Sequence, residues 1–331
     1  MIITCGNCRT KYQMADNLIQ KDEFRVRCTK CDHSFLVKKP GVGSELPPHI
    51  KKRASAITAA QKRYPDNPNC KVISICNQKG GVAKTTTCLN LAASLSMRNK
   101  RVLVIDFDIQ SNLTLLLGHK DARSFFDVIN AQDDSLSSYL VKTEHNFWLL
   151  PSNSKMALLS KKHMPNENFE YMLRDKLLEV KADFDYILID SPPSGDFYTL
   201  NALLASNAAV VPMPCDYLSL NGVSHIEGMI NVINEKINHK IDMHVLITLF
   251  EPGNTVGKVV LNQIRGKYGD KVLNTMIEKD QKVQESQIVH TPVVFYSKEC
   301  AAARQYRQLA NEIETLFPAS EDLAQASGYR Y

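Results

Sequence analysis

The sequence predicts an α/β domain, built on a mostly parallel, twisted sheet with helices on both faces, preceded by a small metal-bound ribbon. Three observations predict it. Apolar runs at residues 71–76, 101–106 and 186–190 have the length and β-branched content of buried strands, and a segment long enough for a crossover helix separates the first two. The first run leads into a glycine-containing loop at residues 77–87, and the other two end in Asp106 and Asp190. Ahead of them stand Cys5, Cys8, Cys28 and Cys31, two C-x₂-C pairs with nineteen residues between.

Residues 1–39 read as the ribbon. Each cysteine pair makes a tight knuckle, and four thiolates close a tetrahedral Zn²⁺ shell. Tyr12, Leu18, Phe24, Val26, Phe35 and Val37 are too few apolar residues to fold about forty residues unaided, so metal ligation must supply the stability. The segment resembles a short zinc ribbon found at the N-terminus of many bacterial proteins, with Tyr12, Val26-Arg27 and Phe35 at its aromatic and apolar positions. That resemblance implies Zn²⁺ on Cys5, Cys8, Cys28 and Cys31. An iron site of rubredoxin type is the alternative, although the Pro and Gly of its usual knuckles are absent. His33 is expected to face solvent, since four sulfurs already fill the shell.

Residues 40–70 read as linker, with turn chemistry at Pro40-Gly41 and Pro47-Pro48 and one helix over residues 49–64 that Asp66-Asn67-Pro68 ends. Beyond it the strand at 71–76, the glycine loop and a helix opening on Lys84-Thr85 make a phosphate cradle. Backbone N–H groups at the helix N-terminus face the oxygens, Lys84 supplies a point charge, and the Thr85 hydroxyl can ligate Mg²⁺. The ordinary pattern G-x-x-x-x-G-K-[ST] fails, because Gln78 and Ala83 occupy both glycine positions. A second lysine, Lys79, lies five residues before Lys84.

The stretch Lys79-Gly80-Gly81-Val82-Ala83-Lys84-Thr85 resembles the deviant Walker A motif, K-G-G-x-x-K-[ST], of the ParA/MinD superfamily of P-loop ATPases. The resemblance implies a P-loop NTPase fold and ATP held by these seven residues and Thr86. It also implies that Lys79 reaches across a nucleotide-sandwich homodimer to the partner's phosphates. Family members usually carry glycine where Ala83 stands; alanine fits there at negative φ, and its methyl crowds the loop.

The second strand runs into Asp106-Phe107-Asp108 and, further on, Asn112, similar to the family's D-x-D-x-x-x-N. By that likeness Asp108 orients or deprotonates the attacking water, and Asp106 supports the Mg²⁺ shell. Acids at the C-terminal edge of a parallel sheet face the crevice where ligands bind. The third strand ends Asp190-Ser191-Pro192-Pro193, similar to a Walker B strand with its D-x-P-P switch, which gives Mg²⁺ to Thr85, Asp106 and Asp190 together. Pro212 and Pro214, before Asp216, match the next strand and the loop near the base. In all, residues 71–317 resemble a ParA-type ATPase, and residues 318–331 read as a flexible tail.

Composition narrows the partners. No apolar run reaches the ~20 residues of a membrane span, and the N-terminus lacks the basic and apolar regions of a signal peptide, so a cytoplasmic, reducing setting is expected. Residues 1–71 hold 14 Lys and Arg against 6 Asp and Glu, while the other 260 hold 26 against 29. This basic region suits nucleic acid or an acidic partner, or serves as a solvated tether. Within the family, a nucleoid-associated DNA-binding ATPase that positions DNA or a protein cargo with a ParB-like or other adaptor is the leading expectation. Its DNA contacts would fall to Lys258, Lys279, Lys282, Lys298 and Arg304, lysines replacing arginines at 279 and 282. A MinD-like membrane cycler would need a basic amphipathic C-terminal helix, and the tail is acidic. A metal or electron carrier would need clustered core cysteines, and Cys76, Cys88, Cys215 and Cys300 are isolated.

Overall fold

The computed structural model describes residues 2–5, 7–13, 23–38, 69–131, 135–164, 168–195, 197–216, 219–237 and 239–319. The expected linker helix over residues 49–64 and the tail beyond residue 319 lie outside them. The chain divides into two compact units, one within Met1–Glu45 and one within Leu46–Tyr331.

The first unit consists of two antiparallel ladders. β1 (Ile2–Thr4) pairs with β2 (Lys11–Gln13), and β3 (Glu23–Arg27) pairs with β4 (Ser34–Lys38). Each C-x₂-C pair sits in the turn of one hairpin. The Cys5 N–H donates to Thr10 O and the Arg9 N–H to Cys5 O, while Cys28 and Asp32 repeat this pattern in the second turn. The chain can turn this sharply because Arg9 and Asp32 both adopt left-handed φ.

The second unit follows the chain as β5 (Lys71–Ile75), α1 (Lys84–Ser96), β6 (Val102–Asp106), α2 (Asn112–Leu116), α3 (Phe125–Asn130), β7 (Val141–Lys142), β8 (Trp148–Leu150), α4 (Met156–His163) and α5 (Met172–Leu177). It continues as β9 (Tyr186–Asp190), α6 (Phe197–Ala205), β10 (Ala208–Pro214), α7 (Ser219–Ile237), β11 (Asp242–Phe250), α8 (Thr255–Tyr268), β12 (Val272–Glu278), α9 (Gln281–Ile288), α10 (Val293–Tyr296) and α11 (Ala301–Leu316). The eight strands lie in the order β12-β11-β10-β5-β9-β6-β8-β7, all parallel except the β7–β8 edge pair.

Alternation along the strands explains the layers. Ile73, Ile75, Val104 and Leu188 point to the face covered by α1 and α11, where Leu91, Tyr306 and Leu309 meet them. Val72, Leu103, Ile105 and Ile187 point the other way, onto Leu173, Leu177 and Phe197 of α5 and α6. A further cluster joins Val211, Met213 and Ile247 to Val223, Ile226 and Ile230 of α7 and Ile264 of α8. With both faces covered, the central strands are apolar throughout, as a parallel sheet requires. Among the described residues no helix is long and apolar enough to cross a membrane.

Candidate nucleotide cleft and cysteine centre

Three neighbouring strands deliver the chemistry to one edge. β9 lies between β5 and β6, and its register sets Asp190 opposite Ile75 on one side and Asp106 on the other. The loop after Ile75 and both acids therefore emerge at the carboxyl ends of adjacent strands, beside a cleft of about 1120 Å³.

The loop's shape rests on two left-handed residues, Gly81 at φ 71° and Ala83 at φ 67°. Glycine adopts this region freely, whereas the Ala83 Cβ presses on its own backbone there, so the negative φ that would suit an alanine is not what the loop takes. Ala83 caps α1, and its carbonyl accepts the first bond of that helix from the Thr87 N–H at 2.9 Å. Lys84 bends back, its Nζ donating to the Lys79 carbonyl oxygen at 2.9 Å. Burial pulls the Lys84 ammonium below its ordinary pKa, against the opposing pull of Asp190 and Asp108. Thr85 and Thr86 open the helix along the cleft wall, where Thr86 Oγ1 accepts from Gln287 Nε2 at 3.4 Å. From the far side, Thr248 Oγ1 donates to the Val82 carbonyl oxygen at 3.1 Å and ties the loop to β11.

The three acids differ in how they are held. Asp106 is fully buried and turned toward Thr114, whose N–H and Oγ1 donate to Oδ2 at 2.8 and 2.6 Å. Burial, aided by the Asp108 charge, pushes it up to about 7 despite those bonds. Asp108 reaches the cleft, with Oδ1 accepting from the Gln110 N–H at 2.9 Å. Asp190 is wholly buried, and neither of its oxygens has a hydrogen-bond partner. Burial first, then the charges of Asp106 and Asp108, drive its pKa far above the carboxylate range, and the nearby Thr85 and Lys84 offset only part of this. A buried carboxylate without a donor beside a phosphate loop fits a divalent cation with oxygen ligands. Thr85 and Asp190 are the residues that could hold Mg²⁺ here, while Asp106 is committed to Thr114.

The residues before the cradle are clasped by one face of α7. Lys79 Nζ donates to both Asp216 oxygens at 2.9 and 2.8 Å and to Ser219 Oγ at 2.9 Å. Against burial, which acts to raise it, the bonds from Lys79 and Ser219 hold the Asp216 carboxyl below its ordinary range. Asn77 Oδ1 accepts from the Lys79 N–H at 2.9 Å and Asn77 Nδ2 donates to Pro212 O at 2.8 Å. Pro212 thus lies inside β10 as a support for the loop, whereas Pro214 faces the cleft. Neither Asn77 nor Ser219 carries a signal in the sequence alone, although Asn77 stands only two residues before the motif. The cleft's far wall, with Phe250, Asn254 and Tyr306, comes from elements that carry no local signature.

The lysines assigned to DNA are spread around this end. Lys279 lines the cleft and pairs with Glu251 at 3.1 Å, and Lys282 pairs with Glu285 at 2.7 Å. Lys258 lies on α8, Lys298 in the turn before α11, and Arg304 on α11, where it donates to the Glu299 carbonyl.

In the first unit the Sγ atoms of Cys5, Cys8, Cys28 and Cys31 lie within 4.8 Å of one another, the one such cluster among the described residues. Cys5 and Cys31 are 3.7 Å apart and Cys8 and Cys28 are 3.5 Å apart, far beyond a disulfide. Four sulfurs at ~2.3 Å from a central ion would stand about 3.8 Å apart, so the set fits tetrahedral Zn²⁺. Tyr12 Oη sits 3.0 Å from Cys28 Sγ, and its hydrogen bond lowers that thiol to about 6.

Comparison with known proteins agrees with this geometry. A family model described as an AAA domain matches residues 70–243, and one described as a zinc-ribbon domain matches residues 1–36. The chain is similar to the chromosome-partitioning ATPase Soj of Treponema pallidum, 32% identical over 73% of this chain and 96% of that protein. It is 33% identical to the sporulation initiation inhibitor protein Soj of Bacillus subtilis, over 73% of this chain and 98% of that one. Among solved structures, cobyrinic acid a,c-diamide synthase from Mycobacterium smegmatis with bound ATP analog and magnesium matches with a TM-score of 0.68 and 29% identity. That match covers 76% of this chain and 96% of the synthase.

Proposed function

The chain belongs to the ParA/MinD family of P-loop ATPases, and from that premise we propose that it is a slow ATP-driven dimerisation switch that binds nonspecific DNA. In this reading it positions or segregates a DNA or protein cargo with an adaptor protein, acting at the nucleoid. Residues 1–39 form a zinc ribbon, residues 40–70 a tether, residues 71–317 the ATPase and residues 318–331 a tail. The observation that supports it most is the paired lysines, Lys84 folded into its own cradle and Lys79 held outside it.

Hydrolysis needs water in line with the γ-phosphorus while the bond to the β-phosphate oxygen breaks and ADP leaves. The protein's part is positioning and charge. Backbone N–H groups from Gly80 to Thr85 hold the phosphates, and Lys84 neutralises them. Asp108 stands at the cleft to orient the water and take its proton. Thr85 and Asp190 would hold Mg²⁺, which would supply further neutralisation of phosphate charge. Lys79 acts on the partner's nucleotide, which requires it to leave Asp216. Both sides of that pair are substantially exposed, 36% and 44%, so its release costs only about 1 kcal/mol or less. Charge-assisted bonds to phosphate oxygens exceed that.

On DNA, Lys258, Lys279, Lys282, Lys298 and Arg304 supply positive charge, and the exposed pairs of Lys279 and Lys282 give way readily to phosphates. The basic ribbon and tether add DNA contacts or recruit the adaptor. The test is binding to random-sequence duplex DNA across a salt series, with ATP and with ADP. Tight, salt-sensitive binding only with ATP is expected. Equal affinity in both nucleotides would refute the switch. Asp108→Ala is expected to trap the ATP state, and parental hydrolysis by that variant would remove Asp108 from the chemistry.

A further inference from the structure

Three consecutive side chains at the start of the phosphate loop are gripped by a single face of α7. Ser219, Gly222 and His225 are spaced three apart, so they line one side of the helix. Ser219 meets Lys79, Gly222 meets Asn77, and His225 Nδ1 bonds to Gln78 Oε1 at 2.7 Å. The other end of the same Gln78 amide touches a different element. A Cβ built on Gly195 would stand 2.3 Å from Gln78 Nε2, so the nitrogen end of the amide abuts that glycine. Gly195 belongs to the loop that follows Asp190, the acid with no hydrogen-bond partner.

We propose that Gln78 is a positioning residue that couples the loop after Asp190 to α7, through Gly195 below it and His225 above it. This rests on the ATPase reading and deepens it. Whatever displaces residues 191–195 when the metal and γ-phosphate side of the cleft fills is passed through the Gln78 amide, held at its oxygen by His225, to the helix that holds Lys79. Gln78 is covalently next to Lys79, so the same amide fixes where that lysine starts its excursion. Gln78 itself is not a catalytic residue; it acts through Lys79 and the loop, and misplacement of either lowers the rate of the chemical step.

Gly195→Ala is a clean probe. The new methyl meets only the far end of a flexible side chain, and Gly195 does not need positive φ, so the backbone keeps its shape while the amide is pushed off. Steady-state ATP hydrolysis of the full chain, with kcat and KM read separately, tests the coupling. Gly195→Ala, Gln78→Ala and His225→Ala should each lower kcat by about three- to tenfold, the scale of one neutral hydrogen bond, with KM changed less than about twofold. The double variant Gly195→Ala/Gln78→Ala should be no worse than Gln78→Ala alone, because both remove the same contact. His225→Asn, whose amide N–H can replace the ring Nδ1–H, should restore parental kcat. Multiplicative losses in the double variant, parental kcat in Gly195→Ala, or no recovery in His225→Asn would each overturn the coupling. Because parental turnover is measured alongside, such a failure leaves the ATPase reading standing.

Discussion

Ala83→Gly is the most quantitative perturbation this loop offers. Ala83 stands at φ 67°, ψ 32°, where an L-residue with a Cβ is strained by roughly 1–2 kcal/mol. Glycine removes that strain, but it frees the unfolded chain by about 0.4–1 kcal/mol. The helix N-cap position, where glycine outranks alanine, adds slightly to the gain. The net stabilisation is about 0.5–1 kcal/mol, which raises Tm by roughly 1–4 °C in a domain of this size. The assay is thermal unfolding of the nucleotide-free chain, with Ala83→Val as a paired control. Valine adds a β-branch to the same unfavourable backbone and should lower Tm by several degrees. If glycine lowered Tm and valine left it unchanged, the left-handed geometry would be wrong and the argument for strain would fall with it.

The remaining predictions concern the acids and the ribbon. Asp106 holds its proton more tightly folded than unfolded, up to about 7, so in the metal-free chain its contribution is fully present below the ordinary carboxyl value of about 4. That contribution is lost as pH rises through about 7, and Asp106→Asn should flatten this part of the Tm–pH curve. Asp190→Asn removes an acid with no hydrogen-bond partner; it should raise the metal-free Tm and lower Mg²⁺-dependent hydrolysis by about ten- to hundredfold. One zinc per chain should be found by elemental analysis, with loss of metal in Cys28→Ser and unchanged basal ATP hydrolysis; iron at the site would instead support the rubredoxin-type alternative.

What the sequence made legible was local. The β5 and β6 strands and the acid ending β9 could be read because apolar runs, glycines and terminal acids sit within a few residues of one another. The two cysteine pairs could be read for the same reason. The clasp of α7 could not, because Ser219, Gly222 and His225 meet residues 77–79 across some 140 positions, and small or polar residues on a helix carry no signal alone. The sign of φ at Ala83 was equally hidden, since it is set by how the loop closes over Lys84 rather than by alanine's own preference. Charge was legible at Lys279 and Lys282, but their pairing with Glu251 and Glu285 depends on which helices and loops the fold brings side by side.

The central claim is that Lys79 leaves its own chain's Asp216 to complete a neighbour's nucleotide site. Analytical sedimentation of the full chain with Mg²⁺ and a non-hydrolysable ATP analogue measures this directly, comparing the parent with Lys79→Ala. A dimeric parent and a monomeric variant that still binds the nucleotide are expected. A variant that dimerises as tightly as the parent would contradict the account.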